Sequence, residues 1–454
     1  MSKSVLSRVA SAAGALILAA FGTVNSGLIP RRVSAFTTLT VMNTADSGSG
    51  SLRDTIAAAN PGDTIGFGLT LPATITLTSG QIMINKDLTV AGPGANLLTI
   101  SGNSSSRIFA IPSGQDVSIS GITFANGVAS FGGAIFNQGT LSATFSTFNG
   151  NFGTSAGAIL NEGALSVAND TFTSNFTDSL FNGGAIENTG GTLSATNCTF
   201  SGNSANGGGA IAGDSTGGSV AVTNCTFSGN SGFGTGIFIE SSTTTLSLVN
   251  TIIAGTGTGC TGMGTITTNS HNLIQDGSCS PMLTGDPKLG PLQGNGGPTQ
   301  TFALLSGSPA IDAGDDSVLG PPLSLTTDQR GSTFPRLSGP HVDIGAFELQ
   351  VPVGPSFDTC LKDNTTGNLL QWNSTTGQYM FTRCSDAFTL TGTGTVGLVN
   401  GIKTLTDFKS DRRISAGFNT GQLTGNATIY LQVAQGVWQT FRVFDTNPSA
   451  VCKC

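Results

Sequence analysis

The sequence predicts an all-β protein: a parallel β-helix of 24–28 residues per coil, with a short N-terminal capping helix and a small C-terminal antiparallel β domain. Three observations carry this. Only 9% of the 454 residues are charged, and 65 are glycine against 17 proline. Coiled coils and acidic disordered chains need far more charge and are excluded. A short motif recurs in Ile122-Thr-Phe124, Ser146-Thr-Phe148, Asp170-Thr-Phe172, Cys198-Thr-Phe200 and Cys225-Thr-Phe227, so that the phenylalanines step by 24, 24, 28 and 27 residues. A Gly-Gly-Ala-Ile element keeps the same rhythm, ending at Ile135, Ile159, Ile186 and Ile211.

Such a period with short β-type segments fits a solenoid, in which each coil contributes two or three strands that pair with the same strands of the next coil. Phe124, Phe148, Phe172, Phe200 and Phe227 then stack as one internal ladder, and the isoleucines form a second. Asn151, Asn175, Asn203 and Asn230 stand three residues after the last four phenylalanines. Stacked one coil apart, their amides can bond side chain to side chain. A column of like charges would repel itself, which accounts for the scarcity of charge. The glycines suit corners that admit no Cβ. A doubly wound α/β fold is excluded because no 10- to 15-residue helical pattern lies between Gly102 and Thr258. A sandwich does not predict a constant step.

Along the chain, residues 1–35 read as a secretory signal. Lys3 and Arg8 precede an apolar run from Val9 to Val24, and the cut follows either Ser26 or Ala35. The β-helix then occupies 36–350. Ser51 caps a helix through Ala59 whose Leu52, Ile56 and Ala59 cover the first coil, and Asn60-Pro61-Gly62 stops it. Strands follow at 64–67, 73–77, 82–84, 88–90 and 97–100, and residues 260–350 form an irregular last part. Residues 351–355 are a Pro/Gly linker to a small Cys-containing β domain, 356–454, with alternating segments at 378–382, 395–399, 427–433 and 438–444. Eight cysteines fit an oxidising compartment. Cys260 with Cys279 and Cys360 with Cys384 are the expected disulfides. Cys198 and Cys225 share a column and are either bonded or reduced small hydrophobes.

The Phe-x-x-Asn and Gly-Gly-Ala-Ile repeats resemble those of polymorphic outer-membrane-protein repeats. The stretch from Ser51 to Ile65 resembles the cap of such secreted helices. Asn272-Leu-Ile, Gly285-Asp-Pro-Lys-Leu-Gly-Pro-Leu292, Ser308-Pro-Ala-Ile-Asp-Ala-Gly314, Thr327-Asp-Gln-Arg-Gly331 and Val342-Asp-Ile-Gly-Ala-Phe-Glu348, in that order, closely resemble the choice-of-anchor Q family. Together these cover roughly residues 40–350. The resemblance implies a right-handed parallel β-helix on an exported protein and no defined reaction.

The functional expectation is an exported, extracellular or cell-surface scaffold that binds a polysaccharide, matrix or cell-surface ligand in an adhesin-like way. The net charge of −7 disfavours nucleic acid. No segment after the signal approaches the ~20 apolar residues of a membrane span. The alternative is a carbohydrate-active enzyme, a polysaccharide lyase or glycoside hydrolase. A lyase base is scarce, because Arg107 is the one Lys or Arg between Lys86 and Lys288. A glycosidase needs two nearby carboxyls; none is favoured, and Glu162 and Glu187, in neighbouring coils, are the candidates against a reading as solvated turn carboxylates. No cofactor is implied; Asp312, Asp315 and Asp316 read as a structural turn, with a calcium site the competing reading. Lys403, Lys409, Arg412 and Arg413 form a basic cluster read as a solvated turn.

Overall fold

The computed structural model describes residues 36–178, 180, 182–214, 216–350 and, beyond these, the nine tail strands named below. Residues 36–274 wind into a parallel β-helix of about nine turns. Four sheets run along it. Wall A has ten strands, from Thr38–Val41 to Thr265–Ser270, and wall B nine, from Ala73–Thr76 to Leu273–Ile274. Wall C has eight, from Ile82–Met83 to Cys260–Gly262, and wall D five, from Val128–Phe131 to Ser231–Phe233. The coils stack in parallel throughout, in register except for two local shifts.

A central coil thus has four strands, not the expected two or three. One such coil runs Ile135–Asn137, Thr140–Thr144, Thr147–Asn149 and Phe152–Ser155. The fourth, Phe-Gly-Thr-Ser, lacks apolar alternation. Its main chain pairs with the neighbouring coils, so it needs no buried face of its own.

The core is a set of columns. The five phenylalanines stack in wall B with ring centroids 4.6–5.1 Å apart and planes within 15° of parallel. Ile135, Ile159, Ile186, Ile211 and Ile237 stack in wall C, all fully buried. Leu141, Leu165, Leu193, Val220 and Leu246 do the same in wall A.

Polar columns hold the corners. Asn151 Nδ2 donates to Asn175 Oδ1 (2.8 Å), Asn175 Nδ2 to Asn203 Oδ1 (2.9 Å), and Asn203 Nδ2 to Asn230 Oδ1 (2.9 Å). Each of these amides also donates to a main-chain carbonyl, as Asn203 does to Phe172 O. Between walls A and B, Asn169, Asn197, Asn224 and Asn250 turn the chain at φ of 49–60°, where asparagine is the best-tolerated residue with a side chain. At the corner entering wall C, a Cβ on Gly184 would lie 2.1 Å from Gly209 O. The glycine of each repeat there is a steric requirement.

The helix forms at Leu52–Ala58. Ser51 Oγ accepts from Asp54 N–H (3.2 Å), and Leu52, Ile56 and Ala59 pack onto the first coil. The end of the solenoid is pinned by the Cys260–Cys279 disulfide, and Cys198 and Cys225 are buried free thiols.

Residues 285–350 are not further coils. After a hairpin of Leu289–Gln293 with Thr301–Leu304, they run as a strap along the outside of wall B. Gln329 reads two coils at once: its Nε2 donates to Asp170 O and Thr171 Oγ1, and its Oε1 accepts from Thr199 Oγ1. Arg330 bonds Asp328 at 2.6 Å and lies between the rings of Phe334 and Phe347, 3.9 and 3.8 Å from their centroids. Arg336, fully buried, faces Glu348 at 3.2 Å. Asp328 Oδ2 accepts from Glu348 N–H, and Glu348 Oε2 from Asp343 N–H. The polar residues of the Thr327–Gly331 and Val342–Glu348 motifs therefore seat the strap.

The tail strands are antiparallel. Thr359–Lys362, Leu369–Trp372, Gln378–Arg383 and Phe388–Thr393 form one meander. Thr395–Val399, Ile402–Phe408, Arg412–Asn419, Thr424–Ala434 and Val437–Asp445 form the other. Tyr379 Oη donates to Asp407 Oδ2 (2.6 Å), joining the two sheets through buried groups. Cys384 and Lys409 lie outside the described residues, as does the signal sequence. Among the described residues no helix is long and apolar enough to cross a membrane.

Candidate functional site

The strand alternation that turns Ile135, Ile159, Ile186 and Ile211 inward turns their successors outward. Phe136, Leu160, Glu187, Ala212 and Phe238 are that outer column, one residue per coil. Its middle is nonetheless buried: Leu160, Glu187 and Ala212 are 4%, 8% and 0% exposed. The cover comes from the ends of wall D. Phe131 pairs with Ser155 there, and Gly207 with Phe233, while Ser155 Oγ donates to Glu187 Oε2. The two walls meet in a trough along the solenoid. Phe131 and Phe136 stand at one end with centroids 6.4 Å apart, and Phe233 and Phe238 at the other, 5.6 Å apart. Phe131 and Phe233 are 53% and 63% exposed. Four coil steps separate the ends, roughly 19 Å. A further exposed ring, Phe176, stacks obliquely on Phe152 of wall D (5.1 Å).

Asp214 and Glu240 follow the wall C strands of the next two coils, and their charges act on Glu187. Burial, reinforced by those two carboxylates and opposed by the Ser155 bond, pushes the Glu187 carboxyl up to about 7. Arg107 is committed at the end of the trough: Nη1 donates to Gln81 Oε1, Nε donates to the Phe131 and Gly132 carbonyls, and its guanidinium lies over Phe136.

Of the expected Glu162–Glu187 pair, Glu162 lies in the coil before Glu187, on the column that Asp214 and Glu240 continue. Glu162 is exposed and turned to the preceding coil, where Gln138 Nε2 donates to its Oε2 (3.0 Å). The Glu187 neighbours are the later Asp214 and Glu240. Asp312, Asp315 and Asp316 make turn and loop contacts. Asp315 caps the short 3-10 turn Asp316–Leu319 and accepts from Ser270 Oγ, while Asp316 faces His341 and the Val342 N–H. The Asp312 N–H donates to Asp343. Among the described residues no group of three or more His, Cys, Asp or Glu is placed to hold a metal. Cys360 lies in the first tail strand.

Three features went unread in the sequence. Asn137, Asn161 and Asn188 form a second amide ladder, with bonds of 2.7 Å, visible in retrospect as Ile-x-Asn after each Gly-Ala. Asp170 is fully buried beside the cysteine column, and burial holds its carboxyl well above the usual range. Ser270 Oγ lies 2.8 Å from both His271 Nδ1 and Asp315 Oδ2. That hydroxyl sits between the imidazole and the carboxylate, the wrong order for a nucleophile whose base is oriented by the acid.

Comparison with protein-family models, with curated proteins and with solved structures found no match to this chain.

Proposed function

We propose that the protein is an exported scaffold that binds glycans in an adhesin-like way along the trough between walls C and D. The observation that carries the reading is the pair of exposed rings, Phe131 and Phe233, set four coils apart along one side of the solenoid. Exposed rings offer flat apolar faces to sugar rings, and a few convergent polar groups fix orientation. Export is supported by the Cys260–Cys279 disulfide, which suits an oxidising compartment, and by the signal-like first residues. The motif resemblance to choice-of-anchor Q proteins agrees with a surface role. The test is retention of the mature chain on insoluble polysaccharides. The wild type should be retained, and the Phe131→Ala/Phe233→Ala variant should wash off with an unchanged far-UV spectrum. Equal retention of the two would refute the assignment.

One observation favours a second reading, hydrolysis at the same place. Burial raises the Glu187 carboxyl to about 7, the range of a general acid, with the charges of Asp214 and Glu240 reinforcing it.

A further inference from the structure

Ser146, Asp170, Cys198, Cys225 and Thr251 form one interior column, each standing just before a paired strand of wall B. Four of them make the same bond. Ser146 Oγ, Cys198 Sγ, Cys225 Sγ and Thr251 Oγ1 each donate to the carbonyl two residues back, at 3.0–3.3 Å. Ser146 and Cys225 also accept from the main-chain N–H one coil earlier. Asp170 makes this second bond, its Oδ1 accepting from Ser146 N–H at 2.6 Å, but its buried Oδ2 has no partner. A hydroxyl or a thiol both donates and accepts. A carboxylate only accepts, whereas a carboxylic acid does both. Completing the pattern of the column toward Ala168 O therefore takes a proton on Asp170. The N–H groups of Ser146 and Ala168 favour the anion, but burial outweighs them. No Lys, Arg or His acts on Asp170 from either coil or from the strap, and the titratable group beside it is the Cys198 thiol, itself against Cys225.

The same corner anchors the strap. Asn169 O accepts from Thr299 Oγ1 (3.0 Å), Asp170 O accepts from Gln329 Nε2 (3.2 Å), and Thr171 Oγ1 donates to Gln300 O (2.6 Å). We propose that Asp170 is a proton latch: as a carboxylic acid it keeps residues 169–171 closed beneath the strap, and loss of its proton opens that corner and frees the strap there. The closed corner binds the proton and the open, hydrated one releases it. The contribution of Asp170 is fully present below the ordinary carboxyl range and is lost as pH rises through the raised folded value.

The first measurement is carbon-13 NMR of the aspartate carboxyls in the full chain. One should stay in the acid form at neutral pH and be missing from Asp170→Asn, whose amide donates and accepts with no proton to lose. The second is chymotrypsin cleavage after Phe302, two residues beyond the anchoring Gln300. The ratio of wild-type to Asp170→Asn cleavage should climb by up to about ten-fold per pH unit across about pH 6 to 8, the slope of one released proton. Glu348 in the strap, pushed up to about 8 by burial, titrates in both chains and cancels from the ratio. Asp170→Ser, which copies Ser146, should match Asp170→Asn and replaces it if the amide prevents folding. Ionisation of every aspartate carboxyl at neutral pH would overturn the stored proton, and a ratio that stays level with pH would overturn the latch.

Discussion

Asn203 sits in the middle of a polar ladder, and its replacement by alanine gives the sharpest stability prediction. Its Oδ1 accepts from Asn175 N–H (3.0 Å) and Asn175 Nδ2 (2.9 Å), and its Nδ2 donates to Phe172 O (3.0 Å) and Asn230 Oδ1 (2.9 Å). After Asn203→Ala, Asn175 Nδ2 keeps Phe148 O, and Asn230 Oδ1 keeps the main-chain N–H of residue 203. Phe172 O keeps the ladder bond of its paired strand, so the loss falls on the buried Asn175 N–H. At ~1–3 kcal/mol for an orphaned buried group, the cost is about 2 kcal/mol, a large fraction of a typical folding free energy. Asn203→Asp sharpens the test. It keeps the acceptor but turns a second oxygen toward Phe172 O and Asn230 Oδ1. That carboxyl can donate only when protonated, so its folded pKa should be raised. Stability should then be highest at acid pH and fall as pH rises through the raised pKa. Urea unfolding followed by far-UV circular dichroism is the assay, because Trp372 and Trp438 both lie in the tail and their fluorescence would not report the coils. Both variants lying within about 1 kcal/mol of wild type would show that the ladder is not a source of stability.

Three further outcomes follow from the same geometry. Glu187 has a folded pKa of about 7 against the ordinary 4.5. Its contribution is fully present below pH 4.5 and is lost as pH rises through 7, a change of about 3 kcal/mol. Glu187→Gln should flatten the wild-type decline over that window, and an unchanged pH profile would contradict the burial argument. Arg330→Ala leaves Asp328 buried without its cation, costing ~3–5 kcal/mol. It should open residues 298–347 to limited proteolysis while the coil signal in circular dichroism persists, and unaltered cleavage would deny the strap its lock. Reducing Cys260–Cys279, which are 19 residues apart, removes a constraint worth ~3 kcal/mol. Faster hydrogen exchange should then appear at 252–274 first, and uniform loosening along the solenoid would count against an end-pinning role.

The coil was legible because a parallel solenoid forces chemical identity at a fixed step. A phenylalanine stacks only on a like-shaped residue one coil away, so the repeat in sequence is the contact in space. The helix at Leu52–Ala58 was equally legible, since Ser51 and Asn60-Pro61 act locally. The strap was not. Gln329 meets Asp170 across 159 positions, and no local period marks such a contact. The irregular 260–350 segment disclosed its composition but not its path. The trough was half legible. The column position of Glu187 followed from the repeat alignment, but its neighbours depend on side-chain direction. Glu162 turns back to Gln138, while Asp214 and Glu240, at the same position of later coils, act on Glu187 by charge. Wall D escaped notice because its strands are held by main-chain bonds, which leave little trace in residue type.

The most direct test of the proposed role is to hold the mature chain on a polysaccharide that retains it and to measure released reducing ends over time. A binding scaffold predicts stable retention with no release above that of the polysaccharide alone. Release that the wild type sustains and Glu187→Gln abolishes would contradict the passive role and make the trough a hydrolytic site.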